Sequence, residues 1–434
     1  MTVVWALGLL LTTCTFLAAI NRRKSARGIA LISSLTIASV TVNTNVPPGV
    51  SAMGLGFMTV LLVIGLFAPA PNFEKHKIRI LVAAWFGIFI ASSALIDGEL
   101  DTSLVQIAAL GVLAVMVSSR VSVEDRNVFT SGLVALGILH SLLSILEFYT
   151  QTPPLWGYGH FSDGSPVLLG NPFVGGQIPR TQSTMGHPIA ASSIMAVGFL
   201  MLLLKRRSIR PGYFTITFIL LLVGIFLTGT RSSVVAIGLG LAFWYLVSSD
   251  SRKRSIRIFM TGLIISGFLA VDVGLSALVD GLMGSGSYTN RADAIASVPK
   301  LFTRDISEII WGSGYGSEPR LFSEGFFQQN GFDIVDNQLV TTLATGGLVG
   351  LIGLLVLLIH AFAVGNTQFR TLLIFMMAML FSFDYLRWHF MVVLLFAIIG
   401  FSSAAGRTVL QASVAANDGV LPGPNNRFIK PPIA

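Results

Sequence analysis

Residues 188–231 read PIAASSIMAVGFLMLLL, KRRSIR, PGYFTITFILLLVGIFL and TGTR. Two apolar runs flank a short connector that carries Lys205, Arg206, Arg207 and Arg210. Each run approaches the roughly 17–25 residues that a helix needs to cross a bilayer. In lipid the backbone must satisfy its own hydrogen bonds, so runs of this kind are helices. The cation-rich connector marks the cytoplasmic side. The other end, Thr228-Gly229-Thr230-Arg231, is then a polar turn on the external side, and its arginine lies where the topology rule does not call for one.

The same alternation extends through the whole chain. Of 28 Lys and Arg, 21 lie in short connectors or the tail; the remainder are Arg180, Arg231, Arg291, Lys300, Arg304, Arg320 and Arg387. The spans expected are Thr2–Ile20, Ile29–Asn45, Val50–Ala68, Ile78–Ile96, Thr102–Ser118, Val128–Phe148, Pro188–Leu204, Tyr213–Leu227, Val234–Val247, Ile258–Leu278, Leu339–Val364, Thr371–Phe383 and Phe390–Ser403. The fold class is therefore all-α: a polytopic membrane protein of about 12–13 transmembrane helices. Residues 1–405 form a single transmembrane domain with long external loops at 149–187 and 279–337, and 406–434 form a disordered cytosolic tail. The first basic cluster follows the first apolar run instead of preceding it, which argues against a cleavable signal and places the N-terminus outside.

Composition excludes a soluble domain: 53% of residues are hydrophobic and only 11% charged. The net charge of +8 suggests nucleic acid in a soluble protein, but here the cations are topological, and the inner face suits anionic lipid head groups. Cys14 is the one cysteine, so neither a disulfide framework nor a cysteine metal site is expected.

The external residues that the topology rule leaves unexplained are the candidates for chemistry. Arg231 sits in a turn without an aromatic anchor, and its planar guanidinium suits a phosphate. Arg180 opens the segment Arg180-Thr181-Gln182-Ser183-Thr184-Met185-Gly186-His187-Pro188, in which Pro188 starts a helix and His187 meets its positive end. Arg291 opens an amphipathic stretch that reads as an interfacial helix pair broken near Pro299. Asp333, Asp336 and Asn337 precede the helix beginning at Gln338 and are N-cap candidates, with a carboxylate available as a base. Gly312, Gly314 and Gly316 lack the preceding strand of a nucleotide loop and read as turn residues. Arg387 and Asp384 read as a local ion pair, and His140 and Glu147 as buried, paired groups.

Together these segments resemble the O-antigen ligase and O-antigen polymerase superfamily. The matching order is Arg180 to Pro188, then Thr228 to Ser232, then Arg291 to Gly316, then Asp336-Asn337-Gln338-Leu339 before Thr345-Gly346-Gly347-Leu348-Val349-Gly350. The resemblance implies a fold like that of C-type glycosyltransferases. It also implies glycan transfer from a polyprenyl-diphosphate-linked donor to an acceptor hydroxyl at the outer face of a bacterial plasma membrane, without metal or other cofactor. Ligases of the family have His-Asn where this chain has Asp336-Asn337, which favours a polysaccharide polymerase over a ligase that attaches glycan to lipid or protein.

The residue chemistry agrees with that expectation. Arg180, Arg231 and Arg291 can stabilise charge growing on a leaving diphosphate, and Asp336 and His187 can serve as catalytic groups toward the acceptor hydroxyl. Polysaccharide-export machinery is a further candidate partner. The rival class is a transporter or flippase for lipid-linked sugars, which would place ionisable residues at mid-bilayer around broken helices.

Overall fold

The computed structural model describes residues 25–43, 45–68, 77–97, 101–158, 168–174, 176, 178–247, 286–329 and 333–417. Its apolar helices are α1 Ala26–Thr41, α2 Pro48–Phe67, α3 Lys77–Asp97, α4 Thr102–Ser118, α5 Val123–Thr150, α6 Pro188–Leu204, α7 Pro211–Leu227 and α8 Arg231–Val247. Four short helices follow: α9 Gly286–Ala296, α10 Val298–Leu301, α11 Ile306–Trp311 and α12 Glu318–Ser323. The chain then returns to the bundle with α13 Gln338–Val364, α14 Thr367–Leu380 and α15 His389–Asn417. The expected spans Thr2–Ile20 and Ile258–Leu278 lie outside the described residues.

Local signals explain the boundaries. Asp101 accepts Ser103 N and Leu104 N at the start of α4. Ser122 and Asp125 form a reciprocal capping box at the start of α5, which begins five residues earlier than hydropathy suggests. Proline occupies the first turn of α2, α6 and α7. The C-terminal helix continues to Asn417, past the Gly406 at which the tail was expected to begin; residues 418–434 lie outside the described set.

The protein is a polytopic helical membrane protein. Pro48–Phe67, Lys77–Ile96, Val123–Thr150 and Gln338–Val364 are long and apolar enough to cross a membrane, and shorter apolar helices pack with them. Helix α6 is the most enclosed, buried from Pro188 to Leu202. Helix α15 supplies Phe390, Phe396 and Phe401 to the same core. By contrast α2 and α7 leave Phe57, Ile64, Phe67, Ile216, Ile219 and Leu222 uncovered, an apolar surface suited to lipid. The segment 286–335 has a small core of its own, in which Leu301, Leu321, Phe322 and Phe327 pack on Val340, Leu343 and Ala344 of α13.

Hydropathy conceals one feature of α13. Gly347, at φ 62° and ψ −164°, interrupts it, so the helix is two halves, 338–346 and 348–364. The apolar run is continuous across the break, which is why the sequence reads as one helix.

Candidate active site

Chain direction brings the same end of several helices together. The C-terminal ends of α1, α5, α7 and α14 meet the N-terminal ends of α6, α8, α13 and α15. Residues 168–174 and 178–187 are packed into this end. Their framework is made of hydrogen bonds from side chain to backbone. The Glu147 carboxylate on α5 accepts Gln182 N at 3.1 and 3.2 Å and Ser183 N at 2.9 Å, holding Ser183 at φ 54°. His140 Nδ1 meets Ser183 Oγ at 2.9 Å, and Thr184 Oγ1 donates to Ser39 O at 2.7 Å. Glu147 and His140 are thus buried and partnered, as expected.

The same framework fixes Arg180 against the turn that carries Arg231. Asn171 Nδ2 donates to Phe226 O at 3.2 Å and to Leu227 O at 2.9 Å, tying the loop to the end of α7. Arg180 Nε donates to Thr228 O at 2.7 Å and Nη2 donates to Thr230 Oγ1 at 2.8 Å. Gly229 sits between them at φ 63°, and a Cβ there would stand 2.8 Å from Asn171 Oδ1, so the turn needs glycine. Arg231 follows at the first position of α8.

Arg291 and Asp336 approach from the other side. Asn290, beside Arg291 on α9, hydrogen-bonds the Asp336 side chain, and its Nδ2 donates to Ile334 O at 3.3 Å. Asn337, not Asp336, caps α13: its Oδ1 accepts Leu339 N at 3.0 Å and Val340 N at 3.1 Å. The Asp336 carboxylate is therefore left over from capping. Gln338 Oε1 accepts Leu386 N at 2.6 Å, joining α13 to the turn before α15.

Arg180, Arg291, Asp336 and His187 lie within electrostatic reach of one another, and Arg231 is linked to them through Arg180. Burial lowers the pKa of Arg180 to about 10, helped by the neighbouring charges of Arg291 and Arg231 and opposed by Asp336. It remains a cation at neutral pH. Burial raises the pKa of Asp336, while Arg291, the Asn290 hydrogen bond and Arg180 oppose that rise. Burial also lowers Arg291, with Asp336 acting against it. His187 is pushed down to about 3, by burial first and then by Arg180 and Arg291, so its imidazole is neutral.

His187 Nδ1 accepts Ile189 N at 3.2 Å as the N-cap of α6. In the tautomer this contact requires, the proton is on Nε2, which makes the ring a donor. Phe383 and Trp388 enclose it, with ring centroids 5.6 and 5.9 Å away.

Deleting the Asn290 hydrogen bond provides a first test. That bond favours the carboxylate, so Asn290→Ala raises the Asp336 pKa further. A rate that needs the carboxylate is lost as pH falls through that pKa. The acid limb of kcat/KM is therefore expected at higher pH in the variant than in the wild type, read from pH–rate profiles; an unmoved limb contradicts the role of Asp336 as base.

Asn171 and Asn290 were not foreseen, nor were the distant partners of Glu147 and Arg304; all four tie the segments of this end together. The structure uses Trp156 to donate to Val40 O at 2.6 Å and stacks Phe173 on Phe226, with centroids 5.0 Å apart. His160 and Phe161 lie outside the described residues. The expected Arg387–Asp384 pair is present at 3.4 Å, and Arg387 also pairs with Glu318 at 3.0 Å. Among the described residues no three His, Cys, Asp or Glu side chains gather as a metal-holding group.

These features define a multi-pass helical membrane protein with a cluster of arginines and the Asp336 carboxylate at a single end of its bundle. A protein-family model described as O-antigen ligase matches residues 216–355, and this match supports the O-antigen ligase and polymerase superfamily. It takes in Arg231, Arg291, Asp336 and the break at Gly347, and leaves Arg180 and His187 outside. No curated protein matches the chain. The family implies membrane glycan processing of the ligase or polymerase type, with a lipid-linked glycan donor and a glycan acceptor.

Proposed function

We propose that the protein is a glycan polymerase that transfers a polyprenyl-diphosphate-linked oligosaccharide to a growing surface polysaccharide at the outer face of the plasma membrane. The observation that carries this reading is the meeting of Arg180, Arg231 and Arg291 with Asp336 and His187. In the proposed step the acceptor hydroxyl oxygen attacks the anomeric carbon opposite the diphosphate. The bond from that carbon to the phosphate oxygen breaks, and its electron pair leaves with the diphosphate. The hydroxyl proton passes to Asp336, and the anomeric centre inverts. The arginines stabilise the leaving diphosphate without recourse to a metal, assisted by the positive ends of α6, α8 and α13. His187 Nε2–H acts as an orienting donor in place of a base.

The broken helix α13 is a feature that transporters also use. Here the ionisable groups meet at the end of the half-helix, and backbone and side-chain donors from residues 304–314 close the break itself. That arrangement favours a transferase.

Sidedness follows from the charge segregation. In a Cys14→Ser background, cysteines at Ser162 and Ser323 are expected to react with an impermeant maleimide on intact cells, and one at Ser208 to stay protected. Labelling of Ser208 alone reverses the orientation and removes the outward-facing site. Polymerase and ligase are separated by inactivating the gene and sizing surface glycan. Single repeat units, on carrier or anchor, are expected; full-length polymer accumulating on the lipid carrier identifies a ligase.

A further inference from the structure

The break in α13 raises a question of backbone accounting. Interrupting a helix removes the usual partners of the carbonyls just before the break, and buried carbonyls need replacements. Here the replacements come from one external segment. Ala344 O accepts Ser313 N at 2.8 Å, and Thr345 O accepts Gly314 N at 3.1 Å. Arg304 Nη1 donates to Ala344 O at 2.8 Å, and Nη2 donates to Leu343 O at 3.3 Å. Two further donors of Arg304 are used nearby: Nε meets Leu301 O at 2.9 Å, and Nη1 also meets Ser313 Oγ.

Close approach at this point depends on glycine. A Cβ on Gly312 would overlap Thr345 O, and one on Gly347 would overlap Ile310 O. Gly312 therefore does more than turn the chain: it lets the amides that follow it reach a broken helix. Arg304 is only 7% exposed and its guanidinium is committed to carbonyls and a hydroxyl, which leaves it unsuited to gripping a donor.

The same external segment holds the half-helix 338–346 from both ends. Asn290 bonds Asp336 at one end, and Arg304, Ser313 and Gly314 cover the other. Nine helical residues span only about 13 Å, so a tilt at the break moves Asp336 directly. We propose that Arg304 is a positioning residue, which clamps the broken end of this half-helix so that Asp336 is held in register with Arg291 and the diphosphate site. The inference rests on the transferase reading above. A lysine keeps the charge but loses the planar fork that meets several acceptors at once.

The test uses full-length protein in nanodiscs with a lipid-diphosphate-linked repeat unit. Arg304→Lys is expected to lower kcat by about 10²-fold, the scale of a displacement near 1 Å, with donor KM little changed. Ser313→Ala, which removes one acceptor of the guanidinium and spares the fold, should lower kcat by about fivefold. Cysteines replacing Ser313 and Ala344, in a Cys14→Ser background, should cross-link faster with Arg304 present than with Arg304→Lys. Closing that link should restore kcat to the Arg304→Lys protein, and reducing it should remove the gain.

A donor KM that rises while kcat holds makes Arg304 a donor ligand and overturns the proposal. So does an unchanged kcat in both variants, equal cross-linking rates, absence of cross-linking, or a closed link that restores nothing. Cross-linking is read by mass whether or not glycan is transferred. An inactive wild-type protein therefore counts against the transferase reading and leaves the contact test standing.

Discussion

Arg180→Ala combined with Arg231→Ala is expected to reduce glycan transfer by at least about 10³-fold, since a single preorganised donor to a developing anion is worth about 10²–10³ in kcat. Arg180 is fixed by Thr228 O and Thr230 Oγ1 and lies within electrostatic reach of Arg231 and Arg291. Removing Arg180 and Arg231 withdraws positive charge from the place proposed for the leaving diphosphate. Arg231→Lys alone should also be severe, because a point charge cannot replace the bidentate fork. Arg320→Lys is the control. Its pairs with Glu308 at 2.9 Å and Glu324 at 3.4 Å are solvent-accessible, and such pairs contribute about 0–1 kcal/mol. Expression and helix content should be normal in all these proteins, and initial rates with purified donor decide the matter.

Asp336→Asn is expected to lower kcat by about 10²–10⁴-fold, the range for a general base, while donor binding is retained. The amide preserves size and hydrogen bonding to Asn290. It leaves the cap of α13 intact, because Asn337 makes that cap. Loss of donor binding with kcat preserved would assign Asp336 to the arginine framework instead of the acceptor. In the wild type the burial that raises the pKa of Asp336 is expected to move the acid limb upward. The Asn variant should lose that limb together with the rate.

The bundle was legible in the sequence wherever apolar length and a local start signal coincided. Thr102–Ser118 and Pro188–Leu204 agree with the structure at both ends, because Asp101 and Pro188 mark their starts. The proposed site residues were singled out for a different reason: arginines outside the basic connectors have no topological purpose, and Arg231 and Arg291 both lie within electrostatic reach of Arg180. What remained hidden depends on partners far along the chain. Glu147 acts on amides 35 and 36 residues away, and Asn171 on carbonyls 55 and 56 away. Backbone acceptors carry no side-chain signature, so Asn290 looked like an ordinary polar residue and the carbonyl partners of Arg304 could not be foreseen. The break at Gly347 was masked by the apolar run on both sides of it.

The central claim is tested most directly by reconstituting the purified protein with lipid-diphosphate-linked repeat units in the presence of EDTA and sizing the glycan formed. Elongated glycan is expected from the wild-type protein, with released carrier diphosphate in matching amount, and neither product from the Arg180→Ala, Arg231→Ala protein. Product formed by that double variant, a strict requirement for a divalent ion, or donor moved across the bilayer without any glycosidic bond would contradict it.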